Sequence, residues 1–290
     1  MKIGMVGLGR MGGNMATRLR RHGHHVVGYD RSSGKRDVDS LPALVEQLER
    51  VPRRTVWIMV PAGDPTDATI EELGSLLEGR DLVVDGGNSN FRDSLRHAAQ
   101  LAEHGIDFVD AGVSGGVWGL EEGYCIMAGG SEDDIAHLQP VLDDLVIDGG
   151  FAHVGPVGAG HFTKMVHNGV EYGLMQAYAE GYEMLRAGEL DVDVPAAVKV
   201  WRHGSVVRSW LLDLLSDALR ADPELESVKG WAEDSGEGRW TVQEAVNLAV
   251  PAPAIASALF ARFASRQEDS PAMRVIAILR RQFGGHEVRT

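Results

Sequence analysis

Short apolar runs alternate with helical stretches through the first half of the chain. "KIGMVG" leads into "RMGGNMATRLRRHG" and then "HVVGYD"; "SLPALVEQLE" precedes "TVWIMV"; a helix around "TIEELGSLL" precedes "LVVDGG"; and "DSLRHAAQLAEHG" precedes "DFVDAG". "YCIMAGG", a helix around "DDIAHLQPVLDDL", and "FAHVGP" close the series. Near-continuous apolar strands separated by helices predict a mainly parallel, doubly wound sheet covered on both faces. Beyond Pro156 the strand pattern stops. The remaining patterns are helical, broken at "ELDVDVP", "ADPELESVKG", "DSGEGR" and "VPAPA". The predicted organisation is an α/β domain over residues 1–156 and an all-helical domain with a C-terminal tail over residues 157–290. About 130 residues of helix make a modest core, so partner subunits are expected to complete it.

One helical stretch departs from the usual pattern. In "HFTKMVHNGVEYGLMQ", Lys164, His167, Asn168, Glu171 and Tyr172 fall at i, i+3, i+4, i+7 and i+8. That spacing normally carries the apolar stripe of an amphipathic helix. Here it carries a base, an imidazole, an amide, an acid and a phenol. Phe162, Val166, Gly169, Val170 and Gly173 lie on the other side.

The turn "VGLGRMG" sets Gly7, Gly9 and Gly12 in G-x-G-x-x-G spacing after a strand and ahead of a helix. Glycines there permit a tight turn and bring the backbone close to a pyrophosphate at the helix N-terminus. Asp30 ends the next strand about twenty residues on, where an acid meets the adenosine ribose hydroxyls. The first domain therefore reads as a Rossmann-type dinucleotide site. Gly7, Leu8, Gly9, Arg10, Met11, Gly12, Asp30, Arg31, Val60 at the end of "TVWIMV", and Asn88 are its candidate contacts. Asp30 repels a 2′-phosphate and favours NAD, while the Arg31 guanidinium leaves NADP possible.

Two further loops follow strands. "VDGGNSNF" offers Asn88 beyond a strand's carboxyl end, with capping of the next helix open to Asn88, Ser89 or Asn90. "DAGVSGGVWG" resembles a serine-nucleophile stretch, but no elbow or triad order accompanies it. Ser114 with the N–H groups of Gly115 and Gly116 reads instead as an anion nest. His22, His24 and His25 read as surface histidines rather than a zinc site, since no carboxylate or thiol partner is evident. The six tryptophans read as packing or interface residues.

Charge and composition narrow the function. A net charge of −14 excludes a broad nucleic-acid-binding surface. No apolar run approaches the roughly 20 residues that span a bilayer. "MKIGMVGLG" enters a strand pattern at once, leaving no room for a signal peptide. Cys125 is the only cysteine, which excludes an intrachain disulfide and points to the cytoplasm. Arg262 and Arg266 share one face of "ALFARFASR", and Arg280, Arg281, His286 and Arg289 surround the closing Gly-Gly turn. Arg266, Arg281 and Arg289 read as solvated charge.

"GAGHFTKMVHNGVEYGLMQ", "VDGGNSNF", "GVSGG" and "FGGH" together resemble the 6-phosphogluconate dehydrogenase family, in its short bacterial, NAD-preferring form. The resemblance implies oxidative decarboxylation of 6-phosphogluconate to ribulose 5-phosphate, a pentose phosphate pathway step without a metal. A lysine matching Lys164 takes the 3-hydroxyl proton while hydride leaves C3, and an acid matching Glu171 protonates C1 of the enediol. That chemistry asks for a lysine whose pKa is brought down and an acid held protonated when its turn comes. Asn88, Ser114, Gly115, Gly116, His167 and Asn168 match contacts to the substrate carboxylate and hydroxyls. Tyr172, Arg262, Arg280 and His286 match contacts at the phosphate end, the last two from another subunit's tail. The resemblance thus implies a phosphorylated sugar acid as ligand and a homodimer or homotetramer with tail exchange.

One loop differs from the family pattern. The long form's "KGTGKWT" is "SGEGRWT" here, so its phosphate-binding lysine aligns with Ser235 and its threonine with Glu237. A carboxylate beside a phosphate costs binding unless it points away or pairs with Arg239. The alternative is another β-hydroxyacid dehydrogenase, acting on a small unphosphorylated 3-hydroxy acid; a dinucleotide sensor without catalysis would not need both Lys164 and Glu171.

Overall fold

The computed structural model of the chain describes every residue except Ser33, Lys35, Val51, Gly285, His286 and residues 288–290; of Phe283 and Gly284 it describes the backbone alone. In chain order the first half comprises β1 (Lys2–Val6), α1 (Arg10–Arg21), β2 (His25–Tyr29), α2 (Leu41–Gln47), β3 (Thr55–Ile58), α3 (Asp64–Leu76), β4 (Leu82–Asp85) and α4 (Phe91–Ala102). It continues with β5 (Asp107–Ser114), α5 (Gly119–Glu122), β6 (Tyr124–Gly129), α6 (Glu132–Leu145) and β7 (Val146–Gly155). The strands form one seven-stranded sheet in the order β2-β1-β3-β4-β5-β6-β7. Every pairing is parallel except β5 with β6.

The periodicity explains the layers. Ile3, Met5, Trp57 and Val84 turn to one face, under Met15 and Leu19 of α1 and Leu138, Leu142 and Leu145 of α6. Val6, Val56, Ile58 and Val83 turn to the other, under Leu44 of α2, Ile70 and Leu73 of α3 and Leu101 of α4. Chain order reverses across β1, with β2 on one side and β3 on the other, so the crevice beyond the carboxyl ends of β1 and β3 is the switch point where such sheets bind ligands.

Some elements differ from the sequence reading. The stretch after "GVSGG" is helical, a short 3-10 turn at Gly116–Trp118 followed by α5. Strand β7 begins at Val146, well before "FAHVGP". His24 is buried and bonds Asp144 of α6 at 2.7 Å, with His22 on the other carboxylate oxygen at 3.2 Å. His24 is therefore not a surface histidine, whereas His22 and His25 are exposed as expected, and only tertiary folding brings Asp144 near the first two. Trp57 is fully buried, whereas Trp118, Trp210 and Trp231 are largely exposed.

Helix α7 (Ala159–Ala187) is 29 residues long. Its first turn docks on β5 and β6 by glycine contacts. A Cβ at Gly112 would lie 2.4 Å from the Lys164 Cβ, and one at Gly160 would lie 2.4 Å from the Asp110 carbonyl oxygen and 2.7 Å from that of Met127. The compact units divide within this helix, into Met1–His167 and Asn168–Thr290, downstream of the sequence boundary at 156/157.

The second unit adds α8 (Val194–Trp201), α9 (Trp210–Ala221), α10 (Gly236–Asn247), α11 (Pro253–Ser265) and α12 (Pro271–Gly284). Asp193 and Ser209 cap α8 and α9. Val194, Val198, Leu212 and Leu219 form one small core, and Tyr172, Ala258 and Leu259 another. Met273, Val275, Ile276 and Leu279 of α12 remain exposed. Among the described residues no helix is long and apolar enough to cross a membrane.

The glycine contacts set opposite expectations for two Gly→Ala changes. At Gly160 the methyl would meet backbone that cannot yield, so Gly160→Ala should cost about 1–3 kcal/mol. At Gly74 of α3 the nearest atom is Leu101 Cδ2 at 3.5 Å, so Gly74→Ala should gain about 0.5–1 kcal/mol. Urea denaturation of both variants beside the parent chain measures the two shifts.

Candidate active site

The glycine turn after β1 is shaped for a dinucleotide. Gly7 adopts φ +91°, and a Cβ there would lie 2.5 Å from the Met59 carbonyl oxygen. A Cβ at Gly12 would collide with the Gly7 carbonyl oxygen, so α1 can stand this close to β1 only with glycine there. Gly9, by contrast, has nothing within 4 Å of where its Cβ would be. It is also the N-cap of α1, with no side-chain cap and no acid in the first turn. Ser40, Asn90 and Ser131 do cap the helices that follow them. The α1 terminus thus presents its N–H groups and positive dipole end to open space, which suits a pyrophosphate. The residues present fit NAD.

Asp30 stands where the ribose would be read. Its Oδ2 accepts from Leu8 N–H at 2.6 Å, and its Oδ1 from the Ser32 N–H and hydroxyl at 2.8 and 2.7 Å. The carboxylate is tied to the glycine turn itself. Arg10 and Arg31 are exposed, while Met11 and Val60 are half-buried.

The loop after β4 resolves the capping question. Asn90 takes the role, its side chain accepting from Arg92 N–H at 2.9 Å, and Asn88 stays exposed. Ser89 is buried with no partner for its hydroxyl among the described residues. After β5, Gly115 and Gly116 both have positive φ, +127° and +54°. Two such turns in succession orient backbone N–H groups into a concavity of the kind that binds anions.

Lys164 is 9% exposed, Asn168 and Tyr172 are buried, and His167 and Glu171 are half-buried. On the other side Val166, Val170 and Leu174 are 37%, 49% and 42% exposed. The helix thus covers its polar face and exposes its apolar one.

Sequence reading missed what holds this helix in place. Asp110 on β5 is completely buried, and its carboxylate accepts from the Gly158 N–H at 2.6 Å and the His161 N–H at 2.7 Å. Burial pushes this carboxyl up, while His161 and the two backbone donors oppose the shift. No local motif points to Asp110, because it caps a helix far along the chain.

In the second unit Tyr172 is held on both faces. Its hydroxyl accepts from Ser235 N–H at 2.9 Å, a Cβ on Gly238 would strike its ring, and the Arg262 guanidinium lies 3.4 Å from the ring centroid. Arg262 also donates to the Glu233 carbonyl at 3.0 Å. Arg239 pairs with Asp234 rather than Glu237, and Arg266 joins the same carboxylate at 2.6 Å. Arg266 is therefore an ion-pair partner, not solvated charge. The Arg239 and Arg266 guanidiniums hold the Asp234 carboxyl at about 2, against its partial desolvation. Glu237 is 2% exposed, and its Oε2 has no partner among the described residues. Arg280 and Arg281 are exposed on α12, while His286 and Arg289 lie outside the described residues.

Comparison with known proteins bears on the family and the fold. Residues 2–148 match the NAD binding domain of 6-phosphogluconate dehydrogenase, and residues 160–282 match the 6-phosphogluconate dehydrogenase C-terminal domain. The NAD(+)-dependent, decarboxylating 6-phosphogluconate dehydrogenase of Haloferax volcanii is 43% identical over 99% of this chain and 98% of its own length. The decarboxylating enzyme of Staphylococcus aureus is 37% identical over 91% of this chain, which spans 61% of that protein. Among solved structures, Plasmodium falciparum 6-phosphogluconate dehydrogenase superposes on all of this chain with a TM-score of 0.84 at 25% identity, over 66% of its own chain. Mycobacterium tuberculosis 3-hydroxyisobutyrate dehydrogenase shares the fold, with a TM-score of 0.75 at 24% identity over 96% of this chain and 99% of its own. With both halves matched and a relative aligned from end to end, the chain belongs to the 6-phosphogluconate dehydrogenase family.

Proposed function

We propose that this chain oxidises and decarboxylates 6-phosphogluconate to ribulose 5-phosphate and carbon dioxide, with NAD preferred over NADP. The observation that carries the reading is the covered polar face of α7. Lys164 and Asn168 are buried on that face, with His167, Glu171 and Tyr172 beside them at helical spacing, and buried titratable groups gathered on one face mark a candidate site. Bound NAD supplies a hydride acceptor for the substrate C3. Lys164 takes the 3-hydroxyl proton as that carbon is oxidised, then holds it against the new carbonyl oxygen, so the ammonium stabilises the charge that develops as carbon dioxide departs. Glu171 delivers a proton to C1 of the enediol. Asn88, His167, Asn168 and the Ser114–Gly116 turn hold the carboxylate and hydroxyls. Tyr172 and Arg262 hold the phosphate, joined by Arg280 and His286 from a second copy's tail.

Related observations support the rest of the reading. Asp30, fixed by Leu8 and Ser32, disfavours a 2′-phosphate. The exposed Val166, Val170 and Leu174 stripe is suited to cover by a second copy of the chain, which makes the enzyme a homodimer or homotetramer. A single cysteine suits the cytoplasm. The second reading, an unphosphorylated 3-hydroxy acid as substrate, draws on the buried Glu237 and on Ser235 in place of a lysine.

Purified enzyme given 6-phosphogluconate with NAD should form reduced cofactor and carbon dioxide in equal amounts. Turnover of 3-hydroxyisobutyrate or glycerate alone would favour the second reading. Lys164→Met should abolish hydride transfer, while Glu171→Gln should slow turnover with little change in NAD affinity. For the cofactor, Asp30→Ser should raise the NADP-to-NAD ratio of kcat/KM at least about tenfold. For assembly, Val170→Glu with Leu174→Glu should lower the mass measured by light scattering to that of a monomer.

A further inference from the structure

Three elements carry the proposed substrate contacts of the first unit. They are the loop ahead of α4 with Asn88, the turn after β5 with Ser114, and the first turns of α7 with Lys164. They come from separate parts of the chain, yet the chemistry requires them in fixed mutual register. A single chain of buried hydrogen bonds joins them.

It starts at Asp110, on the same strand as Ser114. The carboxylate accepts from the Gly158 and His161 N–H groups, which lie at the start of α7. His161 is 1% exposed, and its Nδ1 lies 2.7 Å from the hydroxyl of Ser94, itself fully buried on α4. The Ser94 hydroxyl also lies 3.4 Å from the Asn90 carbonyl oxygen. Asn90 is the N-cap of α4, two residues from Asn88. Beside this chain the rings of Phe91 and Phe162 meet edge to face at 5.2 Å.

A helix is ordinarily capped from its own N-cap residue, as Ser40, Asn90, Ser131, Asp193 and Ser209 do here. At α7 the residue ahead of the helix is Gly158, with φ +92° and no side chain to offer. The cap comes from a strand instead. A local cap stabilises a helix wherever it lies; a strand-borne cap also fixes the helix against that strand.

We propose that Asp110, His161 and Ser94 form a positioning network that sets Lys164 in register with the Asn88 loop and the Ser114–Gly116 turn, with Asp110 as its anchor. None of the three acts on the substrate; each acts through Lys164. The assignment rests on the reading of Lys164 as the base.

The test uses the full-length enzyme with 6-phosphogluconate and NAD, and reads kcat, both KM values, the NAD dissociation constant and the thermal midpoint. Asp110→Asn keeps one acceptor and sets an amide donor against the other N–H. It should lower kcat about 10- to 100-fold, the scale expected for misplacement of a catalytic group by about an ångström, with NAD affinity within about twofold. Ser94→Ala should lower kcat about 3- to 10-fold, and the double variant should lose less than the product of the two because they share one network. His161→Asn, with an amide near the Nδ1 position that can donate to or accept from the Ser94 hydroxyl, should recover most of the kcat lost in His161→Ala. A folded Asp110→Asn enzyme with kcat within threefold of the parent overturns the proposal, as does equal loss of kcat and NAD affinity. If Asp110→Asn does not fold, Ser94→Ala and the His161 pair decide by the same criteria. Hydride transfer persisting in Lys164→Met would refute the base reading separately.

Discussion

Asp110 accepts two backbone N–H groups at the start of α7 from β5, the strand next to the centre of the sheet. Much of the first unit's site geometry depends on that contact. It fixes where α7 leaves the sheet, and the packing of Gly112 against Lys164 fixes how closely the helix lies over β5. Burying a carboxylate is unfavourable unless donors surround it, and this one has two that, among the described residues, bond to no other acceptor. Removing the acceptor would leave both donors buried and unpaired, so the contact is more costly to lose than an exposed cap. The glycines at 112, 129 and 160 serve the same contact by letting backbones meet where any side chain would hold them apart.

With its start fixed in this way, α7 inverts the usual logic of an amphipathic helix. A surface helix gains stability by hiding its apolar stripe, yet here Val166, Val170 and Leu174 are exposed while Lys164 and Asn168 are covered. The exposed apolar half of that arrangement opposes the stability of an isolated chain, and in the proposed reading a second copy offsets it. The bare apolar face of α12 and the small cores of the second unit fit the same picture, since a helical unit of this size gains from burying surface against a partner.

The sequence made some of this legible and hid the rest for definite reasons. The layered α/β half was readable because buried parallel strands are short apolar runs and the intervening helices carry a 3.6-residue period. The dinucleotide turn was readable because Gly7 and Gly12 answer local steric demands. The polar stripe of α7 was readable from spacing, but spacing could not say which face is covered. Asp110 left no trace, because a cap delivered from a strand has no sequence-local signature. The same holds for Asp144, which meets His22 and His24, and for Asp234, which takes up Arg266. Long-range pairing of this kind is decided by folding, not by neighbouring residues.

Those pairings also reassign the charges of the second unit. Arg239 is the nearest cation in sequence to Glu237, yet it and Arg266 are committed to Asp234, whose carboxyl is held at about 2. Neither is a free counter-ion for Glu237. Arg262 differs. Its guanidinium carbon lies 3.4 Å from the Tyr172 ring centroid, and it gives one N–H to the Glu233 carbonyl and another to the Met175 sulfur, of the five a guanidinium has. The ring contact holds the guanidinium in place, and in the proposed reading its remaining donors serve the phosphate. The Ser235 hydroxyl, 3.2 Å from the Tyr172 hydroxyl, extends the same polar surface. The proposed phosphate end on Arg262, Tyr172 and Ser235 would therefore not require the lysine that Ser235 replaces, and the burial of Glu237 is the feature that sets this loop apart.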